Sequence, residues 1–133
     1  MRRTARKYAL QVLYALDLNP EPDAELDSTV TEKVHGEDLA FAESLIHTVE
    51  EHLQEIDGVI SAHLRKWSLS QLNVVDKTIL RMGTAEMLFP PEGKAEKGIV
   101  INEAVLMAKE FGGDNSYRFI NGILSAVAEE RHL

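Results

Sequence analysis

Apolar residues recur at intervals of three and four along most of the chain, without sustained alternation of period two, so the pattern predicts an all-α fold. From Thr4, read as an N-cap, Ala5, Tyr8, Ala9, Val12, Leu13 and Leu16 line one helical face that ends near Asn19-Pro20. Asp23 caps a short second helix that runs to about Val34 and closes at His35-Gly36 in the manner of a glycine C-cap. The longest periodic run is Leu39, Ala42, Ile46, Val49, Leu53, Ile56, Ile60 and Leu64. It predicts either one helix from about Glu37 to Arg65 or two in register, broken near Asp57-Gly58. Ser68 with Gln71 fits a capping box for a helix from Leu69 to Phe89, which Pro90-Pro91-Glu92-Gly93 ends. A further helix, Ile99 to Phe111, sets Ile101, Ala104, Val105 and Ala108 on one face and stops at Gly112-Gly113. The last begins between Asp114 and Ser116 and buries Phe119, Ile120, Ile123, Leu124 and Val127.

The Leu69 to Phe89 helix differs from the others. At ~100° per residue, Leu72, Val75, Ile79, Leu80, Met82, Gly83, Met87 and Phe89 cover a wide arc, and Asn73, Lys77, Thr78, Arg81 and Thr84 share a narrow one. Such a helix packs on more than one side. Asp76 and Glu86 fall inside the apolar arc, where a charge is costly unless something pairs with it. Arg81, Lys77 and a residue on another helix are the candidate partners of Glu86.

With 133 residues the chain is one ordinary domain, residues 1–133, large enough for a core without staples. It contains no cysteine, which removes disulfide and thiolate chemistry. No apolar run approaches the ~20 residues of a membrane span, and the N-terminus lacks a secretory segment; the expectation is a soluble, cytoplasmic protein with no membrane partner. The net charge of −8 opposes nucleic-acid binding on average, but its distribution alters that. Arg2, Arg3, Arg6 and Lys7 form a block with no acid before Asp17, whereas residues 17 to 57 carry thirteen acids and one base, Lys33. Glu43, Glu50, Glu51 and Glu55 form a solvated acidic face. Basic residues at a helix N-terminus oppose the macrodipole, a penalty that a bound polyanion would relieve.

The chain shows no catalytic motif: no G-x-S-x-G, no Walker loop and no dinucleotide fingerprint. His52 and His63 share a helical face but lie roughly 16 Å apart at ~1.5 Å per residue. His47 sits one turn from Glu43 and Glu51, the setting of an ion pair on an acidic face rather than of a metal site. Tyr117-Arg118-Phe119 is a second basic and aromatic cluster. Phe119 belongs either to the core or, if exposed, to a base-stacking surface beside Arg118.

Several blocks together carry a resemblance: Ala5-Arg6, Ala9-Leu10-Gln11-Val12-Leu13-Tyr14, Ile56-Asp57, Lys66-Trp67-Ser68-Leu69, Val75-Asp76-Lys77-Thr78-Ile79-Leu80-Arg81, Ile101-Asn102-Glu103-Ala104-Val105 with Ala108-Lys109, and Arg118-Phe119-Ile120-Asn121-Gly122-Ile123-Leu124. In this order, over nearly the whole chain, the sequence resembles the NusB family of bacterial transcription antitermination factors. The resemblance implies a bundle of about six to seven helices in two packed halves, without enzymatic activity, cofactor or metal. It implies binding of the single-stranded boxA segment of nascent ribosomal transcripts together with the ribosomal protein NusE, in an assembly that modifies the elongating RNA polymerase. By position, Arg2, Arg3, Arg6 and Lys7 are expected at RNA, with Asn115, Arg118 and Phe119 continuing that surface, and Tyr14 and Asp76 at the NusE contact. Asn115 stands where some relatives have an acid, and the basic head is shorter than in some members. Neutralising three to five phosphates would give a log–log salt slope of roughly −2 to −3.5 on single-stranded RNA, a modest contribution that predicts weak binding alone and tighter binding with a basic partner. Some family members dimerise, which would cover the RNA surface. The alternatives are a NusB-like domain of an RNA methyltransferase, for which a chain ending at Leu133 leaves no cofactor-binding domain, and a helical oligomerisation module.

Overall fold

The computed structural model describes residues 2–18 and 34–133, and among these it has six α-helices and no strand. They are α1 (Arg2–Leu18), α2 (Gly36–Glu51), α3 (Leu53–Ser61), α4 (Val74–Leu88), α5 (Lys97–Phe111) and α6 (Ser116–Glu130), with a 3-10 turn at Leu69–Gln71. No described helix is long and apolar enough to cross a membrane. The expected Asp23 helix lies outside the described residues. Val34, buried against the rest of the protein, is not helical, and Gly36 takes φ +61°.

Helix α4 is the axle. It packs against α1, α2 and α3 on one side and α5 and α6 on the other, while α1 pairs with α2 and α5 with α6. The two halves therefore share one central helix, whose burial includes Ile79, Leu80, Met82, Ala85 and Met87. Even its narrow polar arc is covered in part, since Thr78 and Thr84 are buried. Gly83 allows the close α4–α6 crossing: a Cβ there would stand 2.8 Å from Leu124 Cδ1.

Four boundaries differ from the sequence pattern. Helix α1 starts at Arg2, so Thr4 lies inside it; Arg2 and Arg3 are held by carboxylates of other segments, which extend the first turn. The long periodic run is two helices, but the break is at His52, not Asp57-Gly58. Gly58 sits within α3 with open space at its Cα. His52 N–H still donates to Thr48 O, and Ile56 N–H to His52 O, so the break is a local bend; the His52 ring stacks on Phe89 at 3.9 Å. The Ser68 and Gln71 box exists, with Ser68 N–H donating to Gln71 Oε1 at 2.8 Å, but it closes the 3-10 turn. Helix α4 begins later, capped by Asn73, whose Oδ1 accepts from Asp76 N–H. Helix α5 starts two residues before the expected Ile99 and buries Val100, Ala104, Met107 and Ala108, leaving Ile101 and Val105 half-buried. In α6 the buried residues include Ile120, Leu124 and Val127, with Phe119 and Ile123 half-buried against them.

Candidate functional site

The basic head is fully engaged within the protein. Arg6 and Glu86, buried between α1 and α4, form a bidentate pair: Arg6 Nε donates to Glu86 Oε1 at 2.9 Å and Nη2 to Oε2 at 2.6 Å, with each side chain 8% exposed. This resolves the partner of Glu86. Arg81 and Lys77 serve other acids: Arg81 binds Asp57 through two 2.8 Å hydrogen bonds, and both cations reach Asp17. Burial works against the Arg81 charge, yet Asp57 and then Asp17 outweigh it and hold the guanidinium above its ordinary value.

Arg2 donates to Glu92 at 2.6 Å and to Asp38 at 2.7 Å, Arg3 to Glu103 at 3.1 Å, and Lys7 Nζ lies 2.9 Å from Glu110. These hydrogen bonds, to Glu92 first and Asp38 second for Arg2 and to Glu103 for Arg3, raise both guanidinium pKa values. Arg2 and Arg6 also lie over the Phe41 ring, at 5.0 and 5.3 Å from its centroid. The macrodipole penalty expected of a basic helix start is thus offset by internal carboxylates. Arg2, Arg3 and Lys7 remain accessible at the surface, whereas Arg6 sits as the cation of a buried pair rather than as an open charge.

Further along α1, Tyr14 is exposed and lines an apolar depression with Leu10, Gln11, Val75 and Phe111. Val75 and Asp76 are consecutive in α4, and Phe111 stands two residues before Gly113, so the depression at Tyr14 and the cavity at Asp76 approach each other at two points of the chain. Asp76 is 8% exposed; its Oδ2 accepts from Asn73 Nδ2 at 3.1 Å, and its Oδ1 has no hydrogen-bond partner among the described residues. The carboxylate borders a cavity of about 350 Å³ shared with Trp67, Leu72, Asn115, Ser116 and Phe119. The glycine turn fixes this neighbourhood, with Gly113 N–H donating to Ser116 Oγ at 3.0 Å.

Phe119 and Asn115 therefore meet Asp76, but Arg118 does not. One residue of helix, a rotation of ~100°, turns it away from that cavity and over the α5–α6 groove, where its Nε donates to Tyr117 Oη at 3.0 Å. Trp67 and Phe111 were not singled out from sequence as site residues. Both are large apolar side chains left exposed, 57% and 40%, and a single pattern of apolar spacing cannot distinguish an exposed aromatic from a core one. Among the described residues no group of His, Asp and Glu is placed to hold a metal ion. His47 lies 3.7 Å from Glu51, and His63 2.6 Å from Glu130.

Comparison with known proteins gives this geometry a context. The family model described as "NusB family" matches residues 3–129. The chain is 41% identical to the transcription antitermination protein NusB of Elusimicrobium minutum, over 98% of this chain and 94% of that protein. Its structure is similar to that of T. maritima NusB, with a TM-score of 0.84 and 34% identity, covering 98% of this chain and 92% of the other. It is also similar to a chain in the crystal structure of the antitermination factors NusB and NusE in complex with dsRNA, with a TM-score of 0.83 and 33% identity over 97% and 96% of the two chains. Sequence match and three-dimensional match run together from the basic head through the last helix, and on both grounds the chain belongs to the NusB family.

Proposed function

We propose that the chain, residues 1–133 acting as one module in the cytoplasm, is a transcription antitermination factor. It binds boxA RNA of nascent transcripts jointly with the ribosomal protein NusE and so modifies the elongating RNA polymerase. It is a binding module rather than an enzyme. The observation that carries the partner reading is Asp76. A buried carboxylate with an unused oxygen is costly by itself, and it borders a surface where a cationic side chain from a basic protein would supply the missing partner. The apolar depression of Tyr14, Val75 and Phe111 beside it suits an apolar side chain of the same partner.

For RNA, the proposed contacts are Arg2, Arg3 and Lys7 to phosphates, Asn115 and Phe119 to an unstacked base, and Arg118 from the adjoining α5–α6 groove. Arg6 supports the head by holding α1 to α4. The half-buried Phe119 and exposed Trp67 favour single-stranded over duplex RNA, because only splayed bases offer their faces for stacking. Each head cation must exchange a carboxylate for a phosphate, so the intrinsic gain is small and a basic partner contributes most to the joint affinity. In this reading a homodimer covering α1 would be the RNA-free form.

The test is an anisotropy titration of boxA RNA, single-stranded and as a duplex, with and without NusE at two salt concentrations. The expected result is weak, salt-sensitive binding of the single strand alone and much tighter binding with NusE. Equal affinity with and without NusE would refute the cooperative reading.

A further inference from the structure

We propose that the groove between α5 and α6 is a second RNA-binding track, which holds single-stranded RNA beyond the segment bound at the basic head; it rests on the RNA reading above. The groove encloses about 770 Å³, and its charged lining is three cations, Lys97, Lys109 and Arg118, against one carboxylate, Glu129. On a protein of net charge −8 this local excess of positive charge runs against the average. The contrast with the basic head is sharper still. Arg2, Arg3, Arg6 and Lys7 each have a carboxylate partner, whereas none of Lys97, Lys109 and Arg118 pairs with one among the described residues.

What holds two of these cations in place is the Tyr117 ring. The Lys109 ammonium lies 5.0 Å and the Arg118 guanidinium 5.6 Å from its centroid. An aromatic face positions a cation without cancelling its charge, so both remain available to an anion. Lys97 opens α5 and Lys109 lies twelve residues on, roughly 18 Å along the helix axis at ~1.5 Å per residue. That span exceeds a single phosphate and fits a polyanion lying lengthwise. Between the charged ends, Asn102 and Asn121 present amides able to donate to and accept from base edges.

The track connects to the head across one helix. Glu103 and Glu110 of α5 reach back to Arg3 and Lys7, while their neighbours Asn102 and Lys109 border the groove. An RNA strand crossing α5 would pass from one basic surface to the other.

The test compares a short boxA RNA with the same RNA carrying unpaired flanking nucleotides, using the full chain with NusE. The variant Lys97→Glu with Lys109→Glu alters two exposed side chains, and circular dichroism checks its fold. Wild type should bind the extended RNA more tightly than the short one. The double variant should leave the short RNA unchanged, abolish the gain from length and reduce the salt slope for the extended RNA by about 1.4, the share of two phosphate contacts on a single strand. The proposal is overturned if length brings no gain, if the variant weakens both RNAs equally, as a change in net charge would, or if it weakens NusE binding in the absence of RNA, which would make the groove a protein surface. If wild type binds neither RNA with NusE present, the underlying RNA reading falls as well.

Discussion

Replacing Arg6 separates structure from recognition in the basic head. Arg6→Ala removes both hydrogen bonds to Glu86 and strands a carboxylate whose side chain is only 8% exposed. Breaking a buried pair from one side costs about 3–5 kcal/mol, because the remaining charge keeps its desolvation penalty and loses its partner. The lost position over the Phe41 ring, 5.3 Å from its centroid, adds on the order of 0.5–1 kcal/mol. For a chain of this size the melting temperature should drop by roughly 10–20 °C. Removing both charges is a different perturbation: Arg6→Met combined with Glu86→Leu fills the site with long apolar side chains and should restore stability to within about 1–2 kcal/mol of wild type, or exceed it. Urea unfolding of wild type, both single variants and the double variant gives the coupling energy directly. RNA titration of the stable double variant then decides the role. Retained affinity shows that Arg6 supports the head, whereas a folded, stable double variant that no longer binds RNA, or an Arg6→Ala protein of normal stability, would refute the assignment.

Three more outcomes are expected. Glu103→Gln with Glu110→Gln releases Arg3 and Lys7 from their carboxylates and should raise RNA affinity about tenfold at low salt, an effect that fades as ionic strength screens exposed charges; anisotropy across a salt series measures it, and unchanged affinity at low salt would mean that Arg3 and Lys7 do not meet phosphate. Asp76→Asn keeps the shape of the side chain while removing its charge, so it should weaken NusE binding by more than tenfold, about 1.4 kcal/mol, and leave thermal stability nearly unchanged; a large fall in stability would instead make Asp76 a structural residue. Gly112→Ala places a Cβ 2.7 Å from Ala108 O and 2.8 Å from Ser116 Cβ, a clash that backbone cannot relieve cheaply, and should cost about 1–3 kcal/mol while displacing Asn115 and Phe119, read as lower stability and weaker RNA binding together.

The order of the described helices was legible because each has a buried face that repeats at helical spacing, but whether residues 37–65 form one helix or two was not; the central role of α4 followed from an apolar arc too wide for one neighbour. The break at His52 was hidden because α2 and α3 both pack against α4, so the apolar phase continues across the bend, and the glycine that looked like a breaker faces open space. The start of α4 was hidden for a local reason: Ser68 and Gln71 do form the box the sequence advertises, but the cap of the α-helix is Asn73, whose reciprocal hydrogen bonds with Asp76 need the actual backbone to be seen. Arg6 and Glu86 are eighty residues apart, and nothing local in either segment names the other. The need for a partner was legible at Glu86, while the identity of that partner belongs to the packing of α1 on α4.

The same long-range pairing changes what the basic head means. Four clustered cations in a sequence read as free charge, yet here each is bound to a carboxylate, and the positive charge without such pairing in the α5–α6 groove comes from residues scattered between positions 97 and 118. A phosphate arriving at Arg3 or Lys7 displaces Glu103 or Glu110 and leaves that acid near the incoming polyanion, so part of the attraction is offset by new repulsion. A phosphate at Lys109 or Arg118 displaces an aromatic contact that carries no charge. For equal numbers of contacts, the groove should therefore contribute more to affinity than the head, and the head should contribute more to discrimination, since only a correctly placed strand can compensate for the broken ion pairs. In the proposed reading a basic partner seated at Asp76 would tip this balance by adding positive charge beside the same surface, and a strongly acidic protein would then bind RNA most tightly in company.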